Sequence, residues 1–143
     1  MRSIEEFFDM YHKARWELTG TYEERRAAEM KMFADWYNEM DVNEHAHIQH
    51  YSDVSPCTVV KRTKTTITVR YDKAELDPSW QPEFIIGGFS AHCVNNDEQR
   101  WTIEEDPNGE TETFRWHKKD NCFMNKSGEK LLPGWMKKYD YNF

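Results

Sequence analysis

The sequence predicts an α+β protein: an N-terminal α-helical hairpin followed by a small antiparallel β-sheet forming an SH3-like, partly open barrel. Three observations carry this. Apolar residues recur at helical spacing up to about residue 40. From residue 57 onward they alternate, or gather in short runs between Gly, Pro, Asn and Asp turns. The two helical stretches each begin at a capping box, with one glycine between them. At 143 residues the chain has the length of one domain. It divides into an acidic helical hairpin at 1–44 and a β module with a docked aromatic tail at 45–143.

Ser3 and Glu6 form the first capping box, and Ile4, Phe7, Phe8, Tyr11 and Leu18 follow near i, i+3, i+4 spacing, interrupted only by Arg15. Gly20 suits a left-handed helix stop. Thr21 and Glu24 open a second helix through about Met40, with Met30, Phe33, Trp36, Tyr37 and Met40 as its apolar stripe. So short a connection favours an antiparallel pair. In the β module, residues 57–71 read as two strands around a polar turn near Arg62–Lys64. Val60, Ile67, Val69 and Tyr71 supply the core face. Trp80, between Asp77-Pro78 and Gln81-Pro82, reads as a lid on the core. Phe84, Ile85 and Ile86 form a strand ending at Gly87-Gly88. Residues 99–105 and 112–117 read as a hairpin around Asp106-Pro107-Asn108-Gly109. A short pair flanks Lys126-Ser127-Gly128, and the aromatic tail from Trp135 to Phe143 is expected to dock on the barrel.

The formal net charge is −7, and residues 1–50 hold 11 acidic against six basic side chains. Such a surface repels phosphate and argues against unaided nucleic-acid binding. It favours a basic partner, including the nucleic-acid groove of another protein. The helix faces carry Glu5, Asp9, Glu17, Glu23, Glu29, Asp35 and Glu39; of these Glu23, Glu29 and Asp35 are the candidate partner-binding ridge. A solvated helix face is the plainer account of the same residues. Three cysteines without CxxC spacing argue for a reduced compartment. The absence of a membrane-length apolar run or a signal-peptide pattern adds the expectation of a soluble, intracellular protein.

No phosphate loop, GxGxxG, HExxH or nucleophile elbow is present, and no catalytic residue is assigned. Asp53, His92, Asn95 and Gln99, with Arg100 nearby, form a candidate polar pocket after the turn at Gly87-Gly88. The alternative is that Cys93 is a small core residue and His92 a hydrogen-bonded loop residue. His45, His47 and His50, with Cys57 downstream, are the candidates for zinc, although no second ligand pair has standard spacing. Lys61, Arg62, Lys64 and Arg70 give the first β-hairpin a basic edge, and Trp80 or Trp101 could stack on bases. This is the basis of a rival reading as a nucleic-acid-binding module.

Tyr-Ser-Asp (51–53), the Cys-Thr-Val-Val and Thr-Ile-Thr-Val strands (57–69), Asp-Lys-Ala (72–74) and Gly-Gly-Phe-Ser-Ala-His-Cys-x-Asn (87–95) occur in that order. Glu-Gln-Arg-Trp (98–101), Asp-x-Asn-Gly (106–109) and Tyr-Asp-Tyr-Asn-Phe (139–143) follow. Together they resemble a family of small proteins encoded by phages and related mobile elements. The resemblance covers residues 50–143 and leaves out the helices. It implies a context and no catalytic residues. Small acidic proteins of that origin, anti-CRISPR proteins among them, often disarm host defences by binding them. The implied partner is a host defence protein, first a CRISPR effector nuclease, met in the bacterial cytoplasm without direct nucleic-acid or membrane contact. The rival is a metal-dependent or hydrolytic phage accessory enzyme built on the His92 and Asp53 pocket.

Overall fold

The turn predicted at Gly20 and Thr21 opens the longest described stretch of the chain. The computed structural model describes residues 5, 6, 9, 20–87 and 90–139; for residues 86, 87 and 90–92 the description extends to the backbone only. Gly20 has a φ of 131°, where a side chain would be strained. The Thr21 hydroxyl accepts from the Glu24 N–H at 3.2 Å, which sets the start of α1 (Tyr22–Glu39). Glu5, Glu6 and Asp9 are helical and exposed. The rest of the first predicted helix, and with it the pairing of two helices, lies outside the described residues. The inward face of α1 carries Met32, Trp36 and Tyr37, with Met40 at its C-cap; Met32 joins the stripe the spacing predicts.

Among the described residues ten strands follow: β1 (His45–Gln49), β2 (Val54–Arg62), β3 (Thr66–Tyr71), β4 (Lys73–Leu76), β5 (Phe84–Gly87), β6 (Ser90–Cys93), β7 (Trp101–Glu104), β8 (Thr111–His117), β9 (Cys122–Met124) and β10 (Lys130–Pro133). Six of them close an antiparallel barrel in the order β1-β10-β9-β8-β3-β2, while β4–β7 and β5–β6 form separate two-stranded sheets. The barrel is therefore closed rather than partly open. β1 pairs along its length with β2 on one side and, from Ala46 to Gln49, with β10 on the other. The C-terminal strand thus covers the edge that an open sheet would leave.

Two further expectations are corrected. Strands β7 and β8 flank the Asp106–Gly109 turn but do not pair with each other. β7 lies on β4, whereas β8 lies between β3 and β9. The turn is a corner between two sheets, and closing the barrel takes precedence over the local hairpin. On β2 it is Val59 that is fully buried while Val60 is exposed. A bulge between Val59 and Lys61 shifts the register against β3, and a one-residue slip reverses which side chain faces the core.

Ala46, Ile48, Cys57, Val59, Ile67, Val69, Phe114, Phe123 and Leu131 fill the barrel. The C-terminal end of α1 closes one mouth. Tyr37 donates its hydroxyl to the Leu131 carbonyl at 2.9 Å and meets Phe123 and Trp116 edge-on at 5.0 and 5.7 Å. The Arg62 guanidinium donates to the Tyr37 carbonyl at 3.1 Å, a cation placed at a helix C-terminus. The aromatic tail docks as far as it is described: Trp135 lies flat on His45, and Lys138 bridges to Val54. Residues 140–143 lie outside the described residues. Among the described residues no helix is long and apolar enough to cross a membrane.

Candidate functional site

Strand alternation dictates what sits at the other mouth of the barrel. Two positions beyond a core residue, toward the end opposite α1, each barrel strand or the residue next to its end carries a polar side chain in line with the inward face. These are His50 after Ile48, Ser55 before Cys57, Tyr71 after Val69, Glu112 before Phe114, Asn125 after Phe123 and Glu129 before Leu131. Followed from Ser55 through His50, Glu129, Asn125 and Glu112 to Tyr71, successive residues are hydrogen-bonded. His50 Nδ1 meets Glu129 Oε2, and the Asn125 amide donates to Glu129 Oε1 at 2.8 Å and to Glu112 Oε1 at 2.7 Å. The Tyr71 hydroxyl donates to Glu112 Oε2 at 2.6 Å, and Ser55 Oγ lies 2.9 Å from His50 Nε2. The Asn125 side-chain Oδ1 accepts from the backbone N–H groups of Ser127 and Glu129, which locks the amide in place.

The ring has a defined protonation pattern. Burial would raise the Glu129 carboxyl, but the hydrogen bonds from Asn125 and His50 outweigh it and hold the group below the ordinary carboxylate range. An ionised carboxylate only accepts, so the proton between it and His50 belongs to Nδ1. The other ring nitrogen, Nε2, faces the Ser55 hydroxyl. Burial, followed by the bond to Glu112, pushes the Tyr71 phenol well above its usual value, so it remains a donor.

Beside this mouth lies an open groove of about 620 Å³ lined by Tyr71, Asp72, Asp106 and residues 108–112. The Asp72 side chain is wholly buried and serves as a hub. Its oxygens accept from the Thr58 hydroxyl at 2.5 Å, the Trp135 indole N–H at 3.0 Å and the Asp106 backbone N–H at 3.1 Å. Gly109 is required at this corner, because a Cβ there would lie 2.0 Å from the Tyr71 carbonyl oxygen.

The predicted polar pocket is used largely by the fold. Asn95 is buried, donates to the Gln81 carbonyl and accepts from the Glu83 N–H and the Cys93 thiol. Gln99 donates to Asn96 and to the Tyr139 carbonyl and accepts from the Tyr139 N–H and the Trp101 indole. Asp53 lies in the β1–β2 turn, where its carbonyl accepts from the His50 N–H. The backbone of His92 pairs with Ile85; its side chain lies outside the described residues. Cys93 is a buried thiol, the plainer of the two readings made for it.

The three candidate metal-binding histidines are turned to different tasks. His45 stacks on Trp135 with ring centroids 3.5 Å apart and lies 3.6 Å from Glu105. His47 is fully buried and donates from Nδ1 to the Gly134 carbonyl at 2.8 Å, while burial lowers its pKa to about 4. His50 belongs to the ring. Among the described residues no group of three His, Cys, Asp or Glu side chains could hold a metal ion.

On α1, Glu23 and Asp35 are exposed and Glu29 is half-buried. Their six-residue spacing turns the helix by about 240° each time, so the three carboxylates look in three directions. The basic edge is likewise divided. Arg62 is bound to backbone carbonyls and lies over Phe123, and Arg70 reaches toward Asp72 and Glu105. Sequence reasoning missed Ser55, Glu112, Asn125 and Glu129. The available signal was a polar residue at an inward-facing strand position, which becomes visible only once the register is known. Comparison of the chain with protein-family models, with curated proteins and with solved structures returns no match.

Proposed function

We propose that this chain acts by stoichiometric binding, occupying a basic nucleic-acid groove of a host defence nuclease. A CRISPR effector is the partner class suggested by the resemblance of residues 50–143 to phage and mobile-element proteins. The observation that supports the reading is a concentration of charge. Between residues 104 and 112 stand Glu104, Glu105, Asp106, Glu110 and Glu112 with no lysine or arginine, and of these Asp106, Glu110 and Glu112 line the open groove. A negative concavity attracts a basic surface and raises the rate of encounter with it. The α1 segment is the second contact in this reading, through exposed Glu23 and Asp35.

Inhibition of a purified CRISPR effector nuclease tests the proposal. The combined replacement of Glu104, Glu105 and Glu110 by Lys is expected to weaken inhibition by at least tenfold, with the fold unchanged by circular dichroism. Reversal at Glu23 and Asp35 measures the helix contribution separately. A chain that fails to inhibit effectors from several CRISPR types at micromolar concentration would reject the inhibitor reading.

A further inference from the structure

Of the ring at the barrel mouth, one half has an arrangement that closing a barrel does not require. His50 is held between a carboxylate and a hydroxyl, with Nδ1 on Glu129 and Nε2 at 2.9 Å from Ser55 Oγ. This is the order of contacts found in a nucleophile, base and orienting carboxylate constellation. The carboxylate is itself fixed by Asn125. The side chains of His50 and Glu129 are each 26% exposed, and Ser55 is partly exposed, so a reactant can reach the hydroxyl from the open end.

We propose that Ser55 is an acyl-accepting nucleophile, with His50 as its base and Glu129 as the group that positions the imidazole. The substrate class is a neutral or cationic carboxylic ester, since Asp72, Asp106, Glu110 and Glu112 of the adjoining groove disfavour anions. In the first step Ser55 Oγ bonds to the carbonyl carbon and its proton passes to His50 Nε2. Collapse of the tetrahedral adduct breaks the ester C–O bond, and the departing alcohol takes that proton. Water then attacks the acyl-serine, giving up a proton to the same nitrogen. The carboxylic acid leaves and Ser55 Oγ is reprotonated, so the cycle balances with water as the only co-reactant.

The proposal is independent of the binding reading, because inhibition of a nuclease would survive loss of the Ser55 hydroxyl. The test treats the full chain with p-nitrophenyl acetate and, separately, with a fluorophosphonate probe. The expected result is a burst of p-nitrophenol near one per chain and a single fluorophosphonate adduct mapped to Ser55 by mass spectrometry. Ser55→Ala should abolish both with an unchanged circular dichroism spectrum. Glu129→Gln keeps the nucleophile and base but removes the orienting charge, and should slow labelling by roughly 10⁴-fold. If the ring only closes the barrel, the wild-type chain shows no burst and no adduct at Ser55, and that result overturns the proposal. Labelling that persists unchanged in Ser55→Ala overturns it equally.

Discussion

His47 shows how one buried side chain can set the acid limit of the protein. Its Nδ1–H is satisfied by the Gly134 carbonyl, Nε2 has no partner among the described residues, and burial lowers its pKa to about 4 from 6.5. The folded state therefore binds fewer protons than the unfolded state between those two values. Stability is expected to fall as the pH drops from about 6.5 toward 4, by of the order of 3 kcal/mol from this residue alone. Urea denaturation as a function of pH measures this, and His47→Gln, which cannot be protonated, should flatten the curve across that window. Gly109 makes a second prediction at this scale. Its missing Cβ leaves room for the Tyr71 carbonyl oxygen, a backbone atom that no rotamer change can move. Gly109→Ala should cost about 2–3 kcal/mol in urea denaturation. The Asp-x-Asn-Gly pattern marks a turn in the sequence, but the need for glycine comes from a strand that approaches it from 38 positions earlier.

At the scale of elements, the tail and the barrel are joined through a buried carboxylate. Trp135 keeps its ring on His45 and its indole N–H on Asp72 and the Cys57 carbonyl. Trp135→Phe retains the stacking surface and removes the donor, leaving a wholly buried carboxylate with one bond fewer. The expected cost is about 1.5–3 kcal/mol. A double-mutant cycle with Asp72→Asn should show coupling of at least 0.5 kcal/mol, and additivity would separate the two groups. The helix start was legible in the sequence because Thr21 and Glu24 are local partners. The hairpin expected around Asp106–Gly109 was misread because the turn is local while the partners of β7 and β8 are not.

For the whole molecule, the distribution of charge determines what it can meet. With a net charge of −7 and its densest run at residues 104–112, a complex with a basic groove should be salt-sensitive. Affinity measured by calorimetry is expected to drop at least tenfold between 50 and 300 mM salt, as the Debye length shortens from about 14 to 6 Å. A salt-independent affinity would point instead to an apolar contact, for which Phe84 and Ile85 on β5 are among the exposed apolar side chains.

Neighbouring residues are enough to set the capped helix Tyr22–Glu39, the strands near 57–71 and 84–87, the turn at 106–109 and the acidic balance. These follow from propensity, alternation and charge, which act within a few positions along the chain. Tertiary structure alone decided the closure of the barrel by β10, the facing of Val59 rather than Val60, and the gathering of His50, Ser55, Tyr71, Glu112, Asn125 and Glu129 at one mouth. Those six residues lie in, or one position beyond, six strands spread over 80 positions. Inter-strand register brings them together, and register is fixed by which side chains the closed core can bury.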